Sequence, residues 1–303
     1  MGNLSGNHPK DNSMKQLTII SGKGGTGKTT ITAAFAALAK NKVMADADVD
    51  AADLHLILNP RIEKEEAFYG GRLPFLDRSL CNECGICREK CRFEAINNKF
   101  IIDTIACEGC GVCAQVCPQK AISMQENLCG QWFISRTRFG PLVHARLGIA
   151  EENSGKLVAL VRQQARLIAE KENMDYIIID GPPGIGCPVI SSISGVDLVL
   201  AVTEPTLSGI HDLERVVGVA RHFNIPAMVC INKSDINPEA TEKIKDYCQQ
   251  NQIEIAGEIP YDPVVTRAMI AGKTVVEFEN GRITSKIKTI WDKVIRSFGQ
   301  GNN

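Results

Sequence analysis

Short apolar runs alternate along this chain with longer stretches of helical periodicity. Residues 17–21, 43–45, 176–179, 198–202, 229–231 and 253–259 are apolar and too short for helices, so each reads as a buried strand. Residues 29–40, 155–171, 209–222, 238–250 and 263–271 show helical spacing between or after them. Near the end, Ile283, Ile287, Ile290, Trp291, Val294 and Phe298 fall on one helical face, with Lys286, Lys288, Lys293 and Arg296 elsewhere. Strands alternating with helices of this length predict an α/β fold with a mostly parallel, doubly wound sheet covered on both faces. From about residue 59 to 131 that rhythm stops, and Gly, Pro and paired Cys take over. The expected division is a discontinuous core of residues 15–60 and 130–303, a small α+β insert of residues 61–129, and a disordered polar tail, 1–14.

The composition is that of an ordinary globular protein: 303 residues, 44% hydrophobic and 23% charged. A formal net charge of −1 supplies no broad basic field, so no nucleic-acid partner is expected. The polar start lacks an apolar signal segment, and the apolar runs are too short to span a bilayer. A cytoplasmic protein is therefore expected. In that reducing setting its twelve cysteines point to metal rather than disulfides.

Gly22-Lys23-Gly24-Gly25-Thr26-Gly27-Lys28-Thr29 fits G-x-x-x-x-G-K-[ST] between a predicted strand and a predicted helix, and Thr30 beside it is a further expected nucleotide contact. Glycines there let backbone N–H groups converge on phosphate oxygens at a positive helix end. Lys28 is expected on the β- and γ-phosphates of ATP, and the Thr29 hydroxyl on Mg²⁺. Phosphoryl transfer needs positioning and charge neutralisation, which lysines, Mg²⁺ and amides provide without a covalent nucleophile.

Lys23 makes the loop K-G-G-x-G-K-T, and here the sequence resembles the MinD/Mrp/nitrogenase-iron-protein group of P-loop ATPases. The resemblance covers roughly residues 16–58 and 150–275. It implies slow, regulatory ATP hydrolysis and a homodimer in the ATP state, with Lys23 reaching the partner's nucleotide. Asp46-Ala47-Asp48 matches the first switch, which implies that Asp48 positions the attacking water and Asp46 lies near Mg²⁺. Ile177-Ile-Ile-Asp180-Gly-Pro-Pro-Gly184 matches the Walker B strand and second switch, with Asp180 acting on Mg²⁺ through water. Asn232, Lys233, Pro260 and Asp262 match the segments that hold the base, and Asn232 is the implied adenine contact. Cys187 stands at a distance from Asp180 similar to that of a cluster-bridging cysteine in the nitrogenase iron protein. The plainer expectation for Cys187 is a small buried residue before Pro188. MinD uses a C-terminal amphipathic helix on membranes; docking of the last helix on the sheet is the expected arrangement here, membrane contact the alternative.

Cys81-x2-Cys84-x2-Cys87-x3-Cys91 is followed by Cys107-x2-Cys110-x2-Cys113-x3-Cys117-Pro118. Two such runs are the bacterial ferredoxin signature, in which the fourth cysteine of each run crosses to the other cluster. The expected ligands are Cys81, Cys84, Cys87 and Cys117 for one 4Fe–4S cluster, and Cys107, Cys110, Cys113 and Cys91 for the other. Zinc knuckles, built from CxxC pairs with longer spacers, fit this spacing poorly. Arg92 follows Cys91 where the second run has proline.

The whole layout resembles MinD-superfamily ATPases with an inserted two-cluster ferredoxin domain. It implies an ATP-gated electron-transfer protein with an unidentified redox partner. A cluster carrier or scaffold serving a cluster-accepting protein, and a positioning switch with a redox-sensing module, are the alternatives; two complete cysteine runs favour the first. The insert leaves the core just after the first switch, near Asn59, so ordering of that switch would pull on it. A passive tether at Gly70-Gly71 is the competing expectation.

Overall fold

The computed structural model describes residues 14–148 and 154–299. Apart from Met14, the tail expected to be disordered lies outside the described residues. The chain runs β1 (Lys15–Ser21), α1 (Lys28–Leu38), β2 (Lys42–Asp46), α2 (Leu54–Leu58) and β3 (Arg61–Leu76). Two short helices follow, α3 (Ile86–Glu89) and α4 (Val112–Gln115), then β4 (Ile122–Thr137) and β5 (Gly140–Leu147). Next come α5 (Ser154–Glu172), β6 (Tyr176–Pro183), α6 (Cys187–Ile193), β7 (Leu198–Thr203) and α7 (Leu207–His222). The last elements are β8 (Ala227–Asn232), α8 (Pro238–Gln250), β9 (Glu254–Ile259), α9 (Val264–Ile270), α10 (Val275–Phe278) and α11 (Arg282–Phe298).

Among the described residues, nine strands form one sheet in the order β3-β4-β5-β2-β6-β1-β7-β8-β9. Pairings from β5 to β9 are parallel, and only β3–β4 and β4–β5 are antiparallel. Every residue of β2 and β7 is buried, without alternation, because helices cover both faces of the central strands. One core holds Val43, Ile177 and Val199 against Val161 and Val216; the other holds Leu17, Met44 and Leu200 against Phe35 and Ile287. The predicted central strands and long helices are all present.

The expected insert is built differently from its prediction. Residues 61–76 and 122–137 are not loops but two sixteen-residue strands paired with each other, and β4 continues onto β5. The boundary expected at 129/130 therefore falls inside β4, and only residues 77–121 stand clear of the ribbon. Gly70 lies buried in β3 rather than in a loose tether.

The apolar face of α11 is spent on the core. Ile283, Ile287, Ile290, Trp291 and Val294 are buried, and the Trp291 ring lies 4.9 Å from Phe35 and 5.9 Å from Tyr176. Each fully buried side chain of this size is worth about 1.5–3 kcal/mol, which holds the helix on the sheet, as expected. Among the described residues no helix is long and apolar enough to cross a membrane.

His144 on β5 is buried, stacks on Phe133 and His55, and shares a 3.0 Å hydrogen bond with the Ser135 hydroxyl. Burial, helped by His55, lowers its pKa to about 4, against an ordinary 6.5. The unfolded chain then binds the proton more tightly, so this group's contribution is complete above pH 6.5 and is lost as pH falls towards 4. Denaturant unfolding at pH 7.5 and pH 5 should show a loss from this group of about 2 kcal/mol. His144→Phe should remove that part of the slope; an unchanged slope would refute the assignment.

Candidate functional site

The phosphate loop joins β1 to α1, and its glycines are sterically required. Gly25 and Gly27 have φ of 79° and 92°, conformations that side chains disfavour. A Cβ at Gly27 would also lie 2.3 Å from the Asn232 amide nitrogen, and one at Gly22 would lie 2.3 Å from Asp212. Gly27 starts α1 without any side-chain cap, which leaves the first N–H groups of the helix available to an anion. The loop forms one wall of a cleft of about 490 Å³, lined by Gly24 to Ile31, Asp48, Pro183, Asn232, Lys233, Ile259, Val265 and Met269.

At the floor of this cleft stands a buried charge cluster. β2 and β6 run side by side in a register that sets Asp46 beside Asp180. The Lys28 ammonium lies 3.0 Å from Asp180 Oδ1 and 3.5 Å from Asp48 Oδ2. Burial opposes the Lys28 charge, but attraction to Asp180 and Asp48 outweighs it and raises the pKa. Burial drives Asp48 up to about 6, with Lys28 pulling down and Asp180 pushing up. Asp46, completely buried and repelled by Asp180, is held well above the usual carboxylate range.

Asp46, expected near Mg²⁺, uses its oxygens to accept from the backbone N–H groups of Asp48 and Leu54, at 3.2 and 3.1 Å. In this conformation it shapes the first-switch loop. Asp180 Oδ1 also accepts from the Thr32 hydroxyl at 2.9 Å, while the buried Oδ2 has no hydrogen-bond partner among the described residues. Thr32 was not anticipated, although it stands one helical turn beyond Lys28, on the same face.

The remaining expected contacts divide. Thr29 lines the cleft beside Lys28, and the Thr30 hydroxyl meets Met269 Sδ at 3.9 Å. Lys23 turns towards α7, where it meets the hydroxyls of Thr206 and Ser208 and lies 2.8 Å from Glu204 Oε1. Glu204 Oε2 holds Lys233 at 2.9 Å, and Lys233 also donates to the Gly25 carbonyl. Burial opposes the Glu204 charge, and hydrogen bonds from both lysines more than offset it, keeping this carboxyl below its usual range. The only sequence sign of Glu204 was its position immediately after a buried strand. Asn232, expected against adenine, donates its amide to the Thr26 carbonyl at 2.7 Å and so braces the phosphate loop. Pro260 and Asp262 do not line this cleft. Pro260 faces a second cleft with Asp235 and Lys245, and Asp262 accepts from the Val264 N–H at the start of α9. Ile259, Val265 and Met269 occupy the apolar wall in their place.

The cysteine module has the same backbone twice. Gly85 and Gly111, with φ of 82° and 76°, precede α3 and α4, whose second residues are Cys87 and Cys113. Left-handed residues recur in step at Glu83 and Gly109, and again at Glu94 and Lys120. Cys87 and Cys113 are buried, Cys84 and Cys110 exposed, and the other four intermediate. Cys81, Cys84 and Cys87 line one pocket together with Cys117 from the second run. Burial, then the neighbouring thiols, raise the pKa of Cys87 and of Cys113; for Cys113 these neighbours are Cys107, Cys110 and Cys87. Cys91 and Cys117 pack on the same small core, formed by Cys87, Ile96, Cys113 and Ile122. Backbone N–H groups of Glu83 and Ala121 donate to the sulfurs of Cys81 and Cys117, at 3.4 and 3.3 Å. Among the described residues, no three or more His, Cys, Asp or Glu side chains converge on one point as the ligands of a single metal ion would; the cysteines line a pocket instead. Cys187 is exposed at the start of α6, contrary to the plainer expectation of burial. Cys230 and Cys248 are buried and burial raises them to about 12 and 11, values that suit inert packing residues.

Thr32→Val should destabilise the protein by about 1.5–3 kcal/mol, because a buried carboxylate already short of one partner loses a second. Chemical denaturation checks this; a change below about 0.5 kcal/mol would contradict the role given to Thr32.

The family profile described as CbiA, the CobQ/CobB/MinD/ParA nucleotide binding domain, matches residues 17–275. An uncharacterised protein of Methanocaldococcus jannaschii is 33% identical over 283 residues, 92% of this chain and 96% of its own length. A shorter match joins the chain to a cytosolic Fe-S cluster assembly factor Nubp1 homolog of Drosophila ananassae, 24% identical over 146 residues, 42% of this chain and 47% of that protein. Among solved structures, the Pyrococcus furiosus cell division ATPase MinD has the same fold, with a TM-score of 0.57 at 18% identity over 93% of this chain and 98% of that one. With its phosphate loop, its buried Lys28–Asp180 pair and a match over most of its length, the chain belongs to the CobQ/CobB/MinD/ParA nucleotide-binding family of P-loop proteins.

Proposed function

We propose that this protein hydrolyses ATP slowly, as a nucleotide-dependent homodimer, and couples the ATP state to electron transfer through two 4Fe–4S clusters. The observation that carries this reading is the pocket lined by Cys81, Cys84, Cys87 and Cys117, because it joins thiols from both runs in the crossed pattern that two-cluster ferredoxins require. The repeated left-handed turns and the N–H donors to Cys81 and Cys117 suit sulfurs that carry negative charge. Such clusters, when bound, would supply one-electron carriers. Cys107, Cys110, Cys113 and Cys91 would hold the second.

On the nucleotide side, Lys28 and the loop amides would bind the phosphates, with Mg²⁺ held by Thr29. The unpartnered Asp180 Oδ2 would accept from the water shell of that ion. Asp48, on the cleft wall, would orient the attacking water. Lys23 is tied to Glu204 in the single chain, and exchanging that partner for a phosphate of the second copy would link dimerisation to ATP.

The partial likeness to an Fe-S cluster assembly factor favours a second reading, a carrier that hands its clusters to an acceptor. Rapid transfer of both clusters to an apo acceptor would favour the carrier over electron transfer. ATP-dependent localisation without any redox change would favour a positioning switch.

Anaerobically purified protein should contain about eight iron and eight sulfide per chain. Stoichiometric zinc without sulfide would end the iron–sulfur reading. Lys28→Ala should abolish nucleotide binding or hydrolysis, whereas Lys23→Ala should bind nucleotide yet stay monomeric by light scattering with a slowly hydrolysed ATP analogue. A Lys23→Ala dimer indistinguishable from the parent would remove the role in trans. In potentiometric EPR, exchanging ADP for a non-hydrolysable ATP analogue should move a cluster midpoint by about 40–130 mV, the equivalent of a coupling of about 1–3 kcal/mol. Superimposable midpoints would sink the gated electron-transfer reading.

A further inference from the structure

The β3–β4 ribbon has two mechanically different halves. From Gly130 to Thr137, β4 is held between β3 and β5, so this half belongs to the sheet. Phe68, Cys129 and Trp132 seal it to Leu157 and Val158 of α5 in one core. On the β5 side the Gly148 N–H donates to the Cys129 carbonyl at 2.7 Å. Beyond it, residues 71–76 run antiparallel to residues 122–127, and this arm carries the cysteine module. The halves meet at a break in register around Tyr69, Gly70 and Gly71. Such bulges are where a two-stranded ribbon bends most readily.

Among the described residues, a side chain of α5 meets this break. Lys156, in the first turn of α5, donates to the carbonyl of Gly70 at 3.3 Å. That turn is itself pressed on α6: a Cβ at Gly155 would lie 3.3 Å from Ser191 Oγ and 3.5 Å from Cys187 Cβ. Arg162, nearly two turns further along α5, donates to the Ser191 carbonyl at 2.6 Å and fixes the same helix pair. α6 begins directly after the second-switch segment, where Pro183 lines the nucleotide cleft and the Gly184 N–H is bonded to Ser21 at the end of β1. Four contiguous pieces thus connect cleft to module: Pro183–Cys187, the first turn of α6, the Gly155–Lys156 turn, and Gly70.

We infer that Lys156 is the positioning residue through which the nucleotide state sets the angle of the cysteine-bearing arm. Movement of the second switch displaces α6, α6 carries the Gly155–Lys156 turn with it, and the lysine pulls on the bend of the ribbon. The expected route from the first switch is poorly suited to this task, because residues 61–68 emerging after α2 are already fixed in a sheet edge. Against a loose tether at Gly70-Gly71 stand the burial of Gly70 and its bond to Lys156. The inference rests on the ATP-gated reading above for its purpose, but its mechanics do not require clusters.

The test is hydrogen–deuterium exchange of the full anaerobic chain, followed over residues 66–76 and 122–130, with Mg-ADP and with a non-hydrolysable Mg-ATP analogue. The parent protein and Lys156→Arg should show exchange that differs between the two nucleotides at these segments. Lys156→Ala should lose that difference while nucleotide affinity, by calorimetry, and iron and sulfide content stay at parental values. The nucleotide-dependent EPR midpoint shift should collapse in the same variant. A parent without any nucleotide-dependent exchange in the arm, or a Lys156→Ala that retains it in full, would overturn the inference. Absence of sulfide would instead overturn only the iron–sulfur reading, since exchange reports the hinge whether or not clusters are bound.

Discussion

A lysine ammonium buried among three carboxylates sets the terms for the rest of this structure. Taking such charges out of water costs several kcal/mol each unless they are paired closely, so Lys28, Asp180 and Asp48 hold one another in place. Their meeting requires β2 and β6 to lie side by side in the register that aligns Asp46 with Asp180. It also requires the phosphate loop to end where Lys28 can point back under α1. A one-residue slip of β2 against β6 would send one carboxylate to the opposite face. The central sheet is thus pinned at its carboxyl end by charge and elsewhere by dry packing on both faces.

That constraint explains how the nearby loops behave. Asp46 gives its oxygens to the backbone of the first-switch loop, so the segment leading into α2 is tied to the charge cluster. Glu204 plays the corresponding part at the other side of the cleft, where one carboxylate satisfies Lys23 and Lys233 together. Glu204 shares its two oxygens between Lys23 and Lys233, so an anion that took up either lysine would have to replace part of that clasp. Interfaces built on competing partners switch between discrete states instead of deforming smoothly.

The cysteine module is attached to this machine by the sheet itself. An antiparallel ribbon added to a parallel sheet continues its hydrogen bonding without a crossover helix, and so places a small domain at a distance on a stiff support. The outer edge, β3, carries Arg61, Glu63, Lys64, Glu65 and Glu66, charges that discourage pairing with another chain. Stiffness ends at the register break by Gly70, which is also where α5 reaches the ribbon. Support and hinge therefore come from the same two strands.

Features encoded by neighbouring residues were legible in the chain alone. The phosphate loop needs consecutive glycines and Lys28, the buried strands are continuous apolar runs, and the equal spacing of the two cysteine runs reappears as a repeated backbone. These depend on local geometry, which a linear pattern records. The strands β3 and β4 were missed because the charges and glycines of residues 61–76 satisfy no strand period; they are strands because each supplies the other's hydrogen bonds. Pro260 lies outside the phosphate-loop cleft and Cys187 is exposed, since the surroundings of neither position come from its own neighbours. The Glu204 clasp on two lysines, the Thr32 bond to Asp180 and the Lys156 bond to Gly70 join residues 29 to 181 positions apart. Partners so far apart leave no periodic trace, because only the closure of the sheet and the packing of its helices bring them within a hydrogen bond's reach.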